Sequence, residues 1–263
     1  MYKWDAEEYQ KSSSAQQKWA RELINKMGLT GSEAVLDMGC GDGKVTSEIA
    51  THLKTGCILG IDSSVDMIAL AGKTFPNEDN PNLHFKVKDF QDIDYKSEFD
   101  LIFSNAALHW IKGHGDILKR IQKSLKPNGR ILIQMGGKGN AKNILDIADE
   151  MIKEEEWKPY FKDFTFPYGF YEPFEYENWL NEAHLKPLRV ELISRVMVQN
   201  GIDGLKSWIR TVWLPYTQRI PIDLQENFIE ELANRYINKY PADNNGLISV
   251  DMVRLEVEAL KGS

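Results

Sequence analysis

The chain has 263 residues, with 32 Lys or Arg against 39 Asp or Glu, so its formal net charge is −7. This acidic balance argues against a nucleic-acid partner. An apolar share of 42% argues against disorder. No apolar run approaches the ~20 residues of a membrane span, and residues 1–10 show no secretory signal. Two cysteines, Cys40 and Cys57, cannot form a disulfide framework, which predicts a cytoplasmic protein.

Helices and strands are predicted to alternate along the first half of the chain. A helix begins at Ser14, where Ser14 and Gln17 form a capping box, and ends at Gly28. Apolar runs predict strands at 34–38, 57–61, 83–87, 101–103 and 131–135. Helices between them carry apolar residues every four positions. Ser63 and Asp66 are expected to cap one of these helices, and Pro127, Asn128 and Gly129 to end another. This alternation predicts parallel βαβ units.

The pattern changes after Met135. Helices are predicted at 144–152 and from Pro173, and a strand at 188–192. In the last strand the apolar alternation slips at Met252–Val253, which we interpret as a β-bulge. The intervening segment 200–245 is predicted to be mostly helical. We expect one fold with a lid formed by these inserts, rather than two domains.

The most informative motif is the run Val35-Leu36-Asp37-Met38-Gly39-Cys40-Gly41-Asp42-Gly43. An apolar strand leads into three alternating glycines and then a helix, whose N-terminus offers free N–H groups to a ligand. The Gly-x-Gly-x-x-Gly/Ala dinucleotide pattern fails because its last position is Lys44. The phosphate-loop pattern fails too, since Lys44 and Val45 stand where it requires Gly and Lys.

Acidic residues follow the next two predicted strands. Asp62 stands 21 residues after Gly41, where a carboxylate can accept both hydroxyls of a ribose. Asp89 can accept an amino group, and Phe90 beside it can cover a base. Taken singly, Asp62 could be a helix cap and Asp89 a turn residue. Together with the glycine loop, they predict a site for a nucleoside-type cofactor.

These motifs, from Val35 to Met135, resemble class I S-adenosylmethionine-dependent methyltransferases. The resemblance implies a doubly wound, mainly parallel α/β sheet of seven strands with an antiparallel last strand. It implies S-adenosylmethionine as cofactor and S-adenosylhomocysteine as product. By position, the loop would hold the methionine part, Asp62 the ribose, Asp89 and Phe90 the adenine, and the Asn105 backbone the methionine amino group. The cofactor-binding residues it implies are Gln16, Asp37, Gly39, Gly41, Gly43, Asp62, Ser63, Met67, Asp89, Phe90 and Asn105.

A narrower resemblance, to the trans-aconitate methyltransferase group, covers nearly the whole chain. It rests on Trp4, Tyr9, Ser14, Gln16 and Trp19, on 105–110, and on 207–216. It implies an N-terminal cap (1–30), a sheet core (31–135, 180–199, 246–263) and a substrate lid (136–179, 200–245). Juvenile-hormone-acid and malonyl-carrier-protein methyltransferases share this framework. One departure is Ala183-His184-Leu185, where relatives have Ala-Gly-Phe.

His109 distinguishes the possible acceptors of the methyl group. An ionised carboxylate needs no general base, whereas an amine or a phenol does. His109 follows the fourth strand and is interpreted either as a base or substrate hydrogen-bond donor, or as a structural residue packed on Trp110. The other histidines are scattered, so no metal site is predicted.

The predicted substrate contacts lie mainly in the inserts. Residues 157–179 hold eleven of the 28 aromatic residues. Most are expected to form a satellite core, with Tyr168 and Tyr171 lining a substrate cavity. Arg210 could grip a carboxylate, or it could be a surface residue in a salt bridge. The substrate-binding residues proposed on this basis are Tyr9, Trp110, Tyr168, Tyr171, Arg210 and Trp213.

We therefore expect a cytoplasmic, monomeric enzyme that methylates a small organic acid at a carboxylate oxygen, without nucleic-acid or membrane partners. Three alternatives stay open. The first is a methyltransferase for an amine, a carbon or a carrier-protein-bound acyl group. The second is a nicotinamide oxidoreductase, which Lys44 and Asp89 disfavour. The third is a cofactor-binding protein without catalysis.

Overall fold

A computed structural model describes residues 14–262, with side chains from Trp19 onward. The chain divides into two compact units. The sheet unit comprises residues 16–138, 168–193 and 254–262, and the described part of the insert unit comprises 14–15, 139–167 and 194–253. Tyr9 lies outside the described residues, as do Trp4 and the side chain of Gln16.

Seven strands and nine α-helices are described in residues 14–262. The strands are β1 Ala34–Met38, β2 Cys57–Asp62, β3 Leu83–Val87, β4 Phe99–Asn105, β5 Leu125–Gly136, β6 Leu185–Asn200 and β7 Leu247–Lys261. The helices are α1 Ser14–Lys26, α2 Lys44–Ala50, α3 Val65–Thr74, α4 His114–Ser124, α5 Lys142–Met151, α6 Pro173–Glu182, α7 Gly201–Val212, α8 Leu214–Thr217 and α9 Gln225–Lys239. Short 3₁₀ turns span Phe90–Asp92, Leu108–Trp110 and Lys158–Phe161.

The strands form one sheet in the order β3-β2-β1-β4-β5-β7-β6. Strands β1 to β5 pair in parallel, and β7 runs antiparallel to β5. The predicted seven-stranded, mainly parallel sheet is therefore confirmed. Strand order reverses between β1 and β4, the point at which open α/β sheets bind ligands outside the carboxyl ends of their strands.

Buried apolar side chains cover both faces of the sheet unit. Val35 packs with Leu23 and Met27 of α1. Its neighbour Leu36 points to the other face and belongs to the cluster of Ile121 from α4 and Leu180 from α6. This alternation along β1 follows from the two-residue period of a strand. It fixes the carboxyl end of β1, from which the glycine loop starts.

The insert unit has an aromatic interior of its own. Phe228 of α9 packs edge-on against Trp157, with ring centroids 5.1 Å apart, and also contacts Phe161. The indole of Trp157 donates to Glu231 at 2.9 Å, and the Tyr216 hydroxyl donates to Asp149 at 2.7 Å. The first part of the aromatic segment thus forms a packed core, as expected for most of its residues. Its role as a lid stays a prediction.

One local prediction was wrong. Ser64, not Ser63, caps α3, because its side chain accepts from Met67 N at 3.3 Å. Helix α4 ends at Ser124, shortly before Pro127 as predicted, and Pro127, Asn128 and Gly129 lie inside the longer strand β5. The bulge at Met252–Val253 stays a prediction, because the pairing of β7 with β5 covers Arg254–Leu260.

No helix within residues 14–262 combines the length and the apolarity that crossing a bilayer requires.

Candidate active site

The glycine loop follows β1 with all three glycines in the left-handed region, at φ values of 79°, 54° and 78°. The N–H groups of Gly39 and Cys40 both donate to Ile61 O, at 2.8 and 3.0 Å, which ties the loop to β2. A Cβ at Gly39 would lie 2.2 Å from the Ala107 side chain. A Cβ at Gly41 would meet no atom within 4 Å, so this glycine faces open space.

Gly43 has a different role from the other two glycines. A Cβ there would come within 2.6 Å of Phe85 on β3 and 2.9 Å of Ala71 on α3. The third glycine thus permits the close packing of loop against strand and helix that a dinucleotide fold assigns to its last glycine. Lys44, one position later, begins α2, and its Nζ lies 3.0 Å from Asp42. A cofactor contact of Gly43 stays a prediction.

Asp62 closes β2 and joins two segments of the site. Its Oδ2 accepts from Gly41 N at 3.0 Å, and its Oδ1 accepts from Ser64 N at 2.8 Å. Burial raises the pKa of Asp62, and the charge of Asp89 acts in the same direction, while the N–H groups of Ser64, Gly41 and Ser63 oppose the rise. The two acids predicted from their spacing are therefore electrostatically coupled.

The remaining cofactor candidates follow β3 and β4. Asp89 Oδ1 accepts from Gln91 N at 2.8 Å and caps a 3₁₀ turn. Phe90 is buried, with its ring 3.9 Å from the position of a Cβ on Gly39. Met67 is buried on α3. The side-chain oxygen of Asn105 is buried and has no hydrogen-bond partner among the described residues.

Asp37, the first acid of the motif, is buried near the end of β1. Its Oδ2 accepts from the Thr46 hydroxyl at 2.7 Å, which links β1 to α2. Burial raises the pKa of Asp37 to about 7, and the charge of Asp62 also raises it. The described contact is structural, so a role for Asp37 in holding a methionine group stays a prediction.

His109 follows β4 at the centre of an aromatic group made of Trp110, Tyr168 and Phe170. Its ring centroid is 4.9 Å from Trp110, 6.2 Å from Tyr168 and 6.0 Å from Phe170. Its Nδ1 accepts from Gly136 N at 3.4 Å. Burial lowers the pKa of His109 well below its usual range, and the positive charge of Arg254 lowers it further. The imidazole is therefore neutral, and Nε2 carries its proton.

Tyr171 belongs to a second aromatic cluster, distinct from the group around His109 that contains Tyr168. Both tyrosines are predicted from the sequence to line one substrate cavity. The ring of Tyr171 lies 4.8 Å from His114 and 4.7 Å from Trp179. The ring nitrogens of His114 lie 2.6 Å from the Tyr176 hydroxyl and 2.9 Å from Leu108 O. Burial lowers the pKa of His114 to about 4. His114 is a structural residue, and a substrate contact of Tyr171 stays a prediction.

Two predicted substrate residues lie in the insert unit. Arg210 donates from Nε and Nη2 to the two oxygens of Glu226, at 2.8 and 2.7 Å. A salt bridge of this kind is what we expected if Arg210 is a surface residue rather than a ligand of the substrate carboxylate. Trp213 is buried, with its ring 5.4 Å from Trp208. Substrate binding by either residue stays a prediction.

Sequence reasoning missed Arg254. This residue of β7 is only 3% exposed and pairs with Gly136 across the β5–β7 ladder. Its guanidinium lies 5.5 Å from the Trp19 ring centroid. The sequence could have indicated that Arg254 is buried, because alternate positions of a strand face the same side and Val250 and Met252 are buried on that side. Within the described residues, no three of His, Cys, Asp and Glu cluster as metal ligands would.

Comparison with known proteins agrees with this geometry. A family model described as a methyltransferase domain matches residues 29–183. A trans-aconitate 2-methyltransferase of Deinococcus radiodurans is 28% identical, over 91% of this chain and 92% of its own. An uncharacterized methyltransferase of Schizosaccharomyces pombe is 30% identical, over 79% of each chain. The solved structure of a Haemonchus contortus phosphoethanolamine N-methyltransferase in complex with S-adenosylhomocysteine is similar, with a TM-score of 0.62 at 17% identity, covering 98% of this chain and 57% of that one.

The sheet order, the glycine loop and these matches together define a class I S-adenosylmethionine-dependent methyltransferase. The predicted class is thereby confirmed, and the enzyme is a transferase rather than a nicotinamide oxidoreductase. The chain belongs to the methyltransferase-domain family, whose model covers more than half of its length.

Proposed function

We propose that this enzyme transfers the methyl group of S-adenosylmethionine to a carboxylate oxygen of a small organic acid. The observation that carries this proposal is the similarity to a trans-aconitate 2-methyltransferase over nine-tenths of both chains. At 28% identity the relative suggests the class of acceptor, a small polycarboxylic acid, rather than one compound. The neutral His109 described above supports the same acceptor chemistry.

The residues at the carboxyl ends of β1, β2 and β4 fit the cofactor. Gly41 leaves open space beside the loop, and Asp62 has oxygen lone pairs remaining for ribose hydroxyls. The unpartnered Asn105 oxygen suits an ammonium donor such as the methionine amino group, so we extend the predicted contact of Asn105 from its backbone to its side chain. When bound, S-adenosylmethionine supplies a methyl group already activated on a sulfonium.

His109 is suited to an acceptor that needs no base. Its Nδ1 accepts a backbone N–H, so the ring presents a proton on Nε2 rather than a lone pair. A carboxyl group with an ordinary pKa of ~4 is ionised at neutral pH and needs no deprotonation. His109 can therefore orient a carboxylate by donating to it, while the rings of Trp110, Tyr168 and Phe170 exclude water from the reacting groups.

The test is a panel of mono-, di- and tricarboxylic acids, together with amines and phenols, offered with S-adenosylmethionine labelled in its methyl group. Label transferred to acids and released by mild base identifies an ester and supports the proposal. Base-stable label, or transfer to amines or phenols alone, overturns it. Thermal unfolding with S-adenosylhomocysteine or NAD tests the cofactor independently, and stabilisation by NAD alone would contradict cofactor binding.

A further inference from the structure

We propose that His114 is a positioning residue for methyl transfer, and that its imidazole holds the 3₁₀ turn Leu108–Trp110 where His109 and Trp110 can orient the acceptor. His114 is buried among the aromatic rings around Tyr171 and contacts backbone of the loop that follows β4. This role deepens the proposed function and rests on it, because the acceptor is the ligand that the turn would orient.

The hydrogen bonds of His114 reach the backbone on both sides of His109 and Trp110. Its Nε2 lies 2.9 Å from Leu108 O and 3.1 Å from Ile111 O. Carbonyl oxygens can only accept, so Nε2 carries the proton of the ring and donates to both. The turn is therefore held at its first residue and at the residue that follows it.

Tyr176 fixes the position of the proton on the His114 ring. Its hydroxyl lies 2.6 Å from His114 Nδ1 and 3.6 Å from Met135 Sδ, and a thioether is the weaker acceptor of the two. The hydroxyl therefore donates to Nδ1, which leaves Nε2 as the donor. Burial lowers the pKa of His114 to about 4, so the imidazole is neutral at physiological pH and both of its nitrogens have a partner.

His114 connects the turn to the close-packed core of the sheet unit. It is the first residue of α4, and Ile117, Leu118 and Ile121 of that helix are buried in the core cluster. Tyr176 belongs to α6 and is buried in the same cluster. Side chains in such a core pack without voids and have little room to shift. The two helices therefore hold the imidazole, and the imidazole holds the turn.

The loop after β4 is held by different groups at its two ends. At its start, Ser104 Oγ donates to Met38 O of β1 at 2.7 Å, and Ala106 N donates to a backbone oxygen of β5 at 2.8 Å. This end carries the expected cofactor contact. His114 holds the far end, which carries the expected acceptor contacts. A change at His114 should therefore disturb the acceptor and spare cofactor binding.

Methyl transfer is sensitive to the position of the acceptor. A lone pair of the acceptor oxygen forms the bond to the methyl carbon as the carbon–sulfur bond breaks in line with it, and the electron pair of that bond stays on sulfur. A misplacement of about 1 Å can cost about 100-fold in rate. The turn also sets the distance of 3.4 Å between His109 Nδ1 and Gly136 N. A turn released from His114 would therefore lower kcat.

The kinetic experiment compares His114→Phe and His114→Gln with the wild type, using the best acid of the panel. His114→Phe keeps a planar ring without its nitrogens, and we expect kcat to fall about 100-fold. Its affinity for S-adenosylhomocysteine, measured by calorimetry, should stay that of the wild type. His114→Gln offers amide N–H groups to the two carbonyl oxygens and should restore most of kcat, although it fills the core less well than Phe does.

Ile121→Ala is the matched control, because Ile121 lies on the same helix and in the same core cluster but carries no hydrogen-bonding group. It should lower the melting temperature and leave kcat unchanged. The comparison separates a loss of packing from the loss of the hydrogen bonds that hold the turn.

NMR spectroscopy tests the same role without turnover. The indole N–H of Trp110 donates to Ala106 O at 3.1 Å, and its ring lies edge-on to Tyr168, so its signal reports the position of the turn. This signal should shift in His114→Phe and keep its wild-type position in His114→Gln and Ile121→Ala. In wild-type protein labelled with heavy nitrogen in its histidines, the signals of His114 should show the proton on Nε2.

Several results would each overturn this role of His114. They are wild-type kcat in His114→Phe, a loss in His114→Gln as large as that in His114→Phe, an equal loss in Ile121→Ala, and a His114 proton found on Nδ1. The last of these needs no variant, so it decides even if His114→Phe does not fold. By contrast, a wild type that methylates no acid contradicts the proposed function itself, and the NMR results on His114 are unaffected by it.

Discussion

The carboxylate of Asp62 accepts a hydrogen bond from the backbone N–H of Gly41 at 3.0 Å, and this contact fastens the glycine loop to the end of β2. The same carboxylate accepts from Ser64 N at the start of α3. Asp62 therefore orders two segments of the cofactor site besides being the expected partner of the ribose. A change at this residue should affect the loop and the ligand together.

We expect Asp62→Ala to weaken S-adenosylhomocysteine binding about 100-fold, because it removes charge-assisted hydrogen bonds and loosens the loop. Asp62→Asn should lose less, since its amide oxygen can still accept from one N–H. Isothermal titration calorimetry measures both. Asp66→Ala, an exposed acid in the first turn of α3, is the control and should bind as the wild type does. Equal losses at both positions would show that α3, rather than the carboxylate, is responsible.

The glycine loop offers a matched pair of substitutions. Gly39→Ala places a methyl 2.2 Å from Ala107, so it should destabilise the fold by about 3 kcal/mol through overpacking and left-handed strain. Gly41→Ala meets nothing within 4 Å and should cost only about 1 kcal/mol.

The two variants should rank in the opposite order for ligand binding. Gly39→Ala should lower stability more, whereas Gly41→Ala should lower the affinity for S-adenosylhomocysteine more. The methyl of Gly41→Ala occupies the open space expected for the cofactor, so affinity for S-adenosylhomocysteine should fall more than stability does. Urea unfolding and calorimetry on the same samples give the two quantities. Gly41→Ala with unaltered affinity would move the cofactor away from this side of the loop.

The raised pKa of Asp37 predicts a pH dependence of stability. The folded protein holds this proton up to a pH of about 7, whereas an unfolded Asp releases it near ~4. Unfolding therefore releases a proton between these values, and this group's contribution to stability falls as pH rises, by up to about 1.4 kcal/mol per unit. Above pH 7 the fall is complete.

Asp37→Asn should abolish that part of the dependence while keeping an acceptor for Thr46. The free energy of unfolding of the variant, minus that of the wild type, should grow between pH 5 and 7 and level off above it. Urea titrations at pH 5, 6, 7 and 8 measure this difference, which cancels the other titrating groups. A difference that stays constant over the range would place the Asp37 pKa at its ordinary value.

His109 should not act as a general base. Because its pKa is lowered well below the usual range, the imidazole stays neutral from pH 6 to 8, and His109 should contribute no titration to kcat across that interval. His109→Asn should retain kcat for a carboxylate within about 10-fold, since general-base catalysis would account for 10²–10⁴-fold. Initial rates with the best acid of the panel measure both. A loss of about 1000-fold, with a pH profile that changes shape, would indicate an acceptor that must be deprotonated.

Local patterns predicted most of the fold, because strands buried on both faces and amphipathic helices leave strong periodic signals. The positions of Gly39, Asp62 and Asp89 followed from where strands end. The sequence could not show that Gly43 serves packing against Phe85, or that Tyr168 and Tyr171 join different clusters. Those outcomes depend on tertiary contacts between segments distant in sequence. Arg254 was missed because a charged residue in a strand is expected to face solvent.

The strand order has a consequence for how the enzyme is made. Since β7 lies between β5 and β6, strand β6 has no neighbour among the described strands until β7, which follows it in the chain, is synthesised. Glu256 on that late strand accepts from Lys26 of α1, 230 residues earlier, and from Arg189 of β6. Folding of this edge therefore depends on contacts between segments distant in sequence, and such long-range contacts form slowly. Deleting residues 254–260 would remove the partner that β5 has besides β4, and this side of β5 would become an exposed sheet edge open to pairing with other chains.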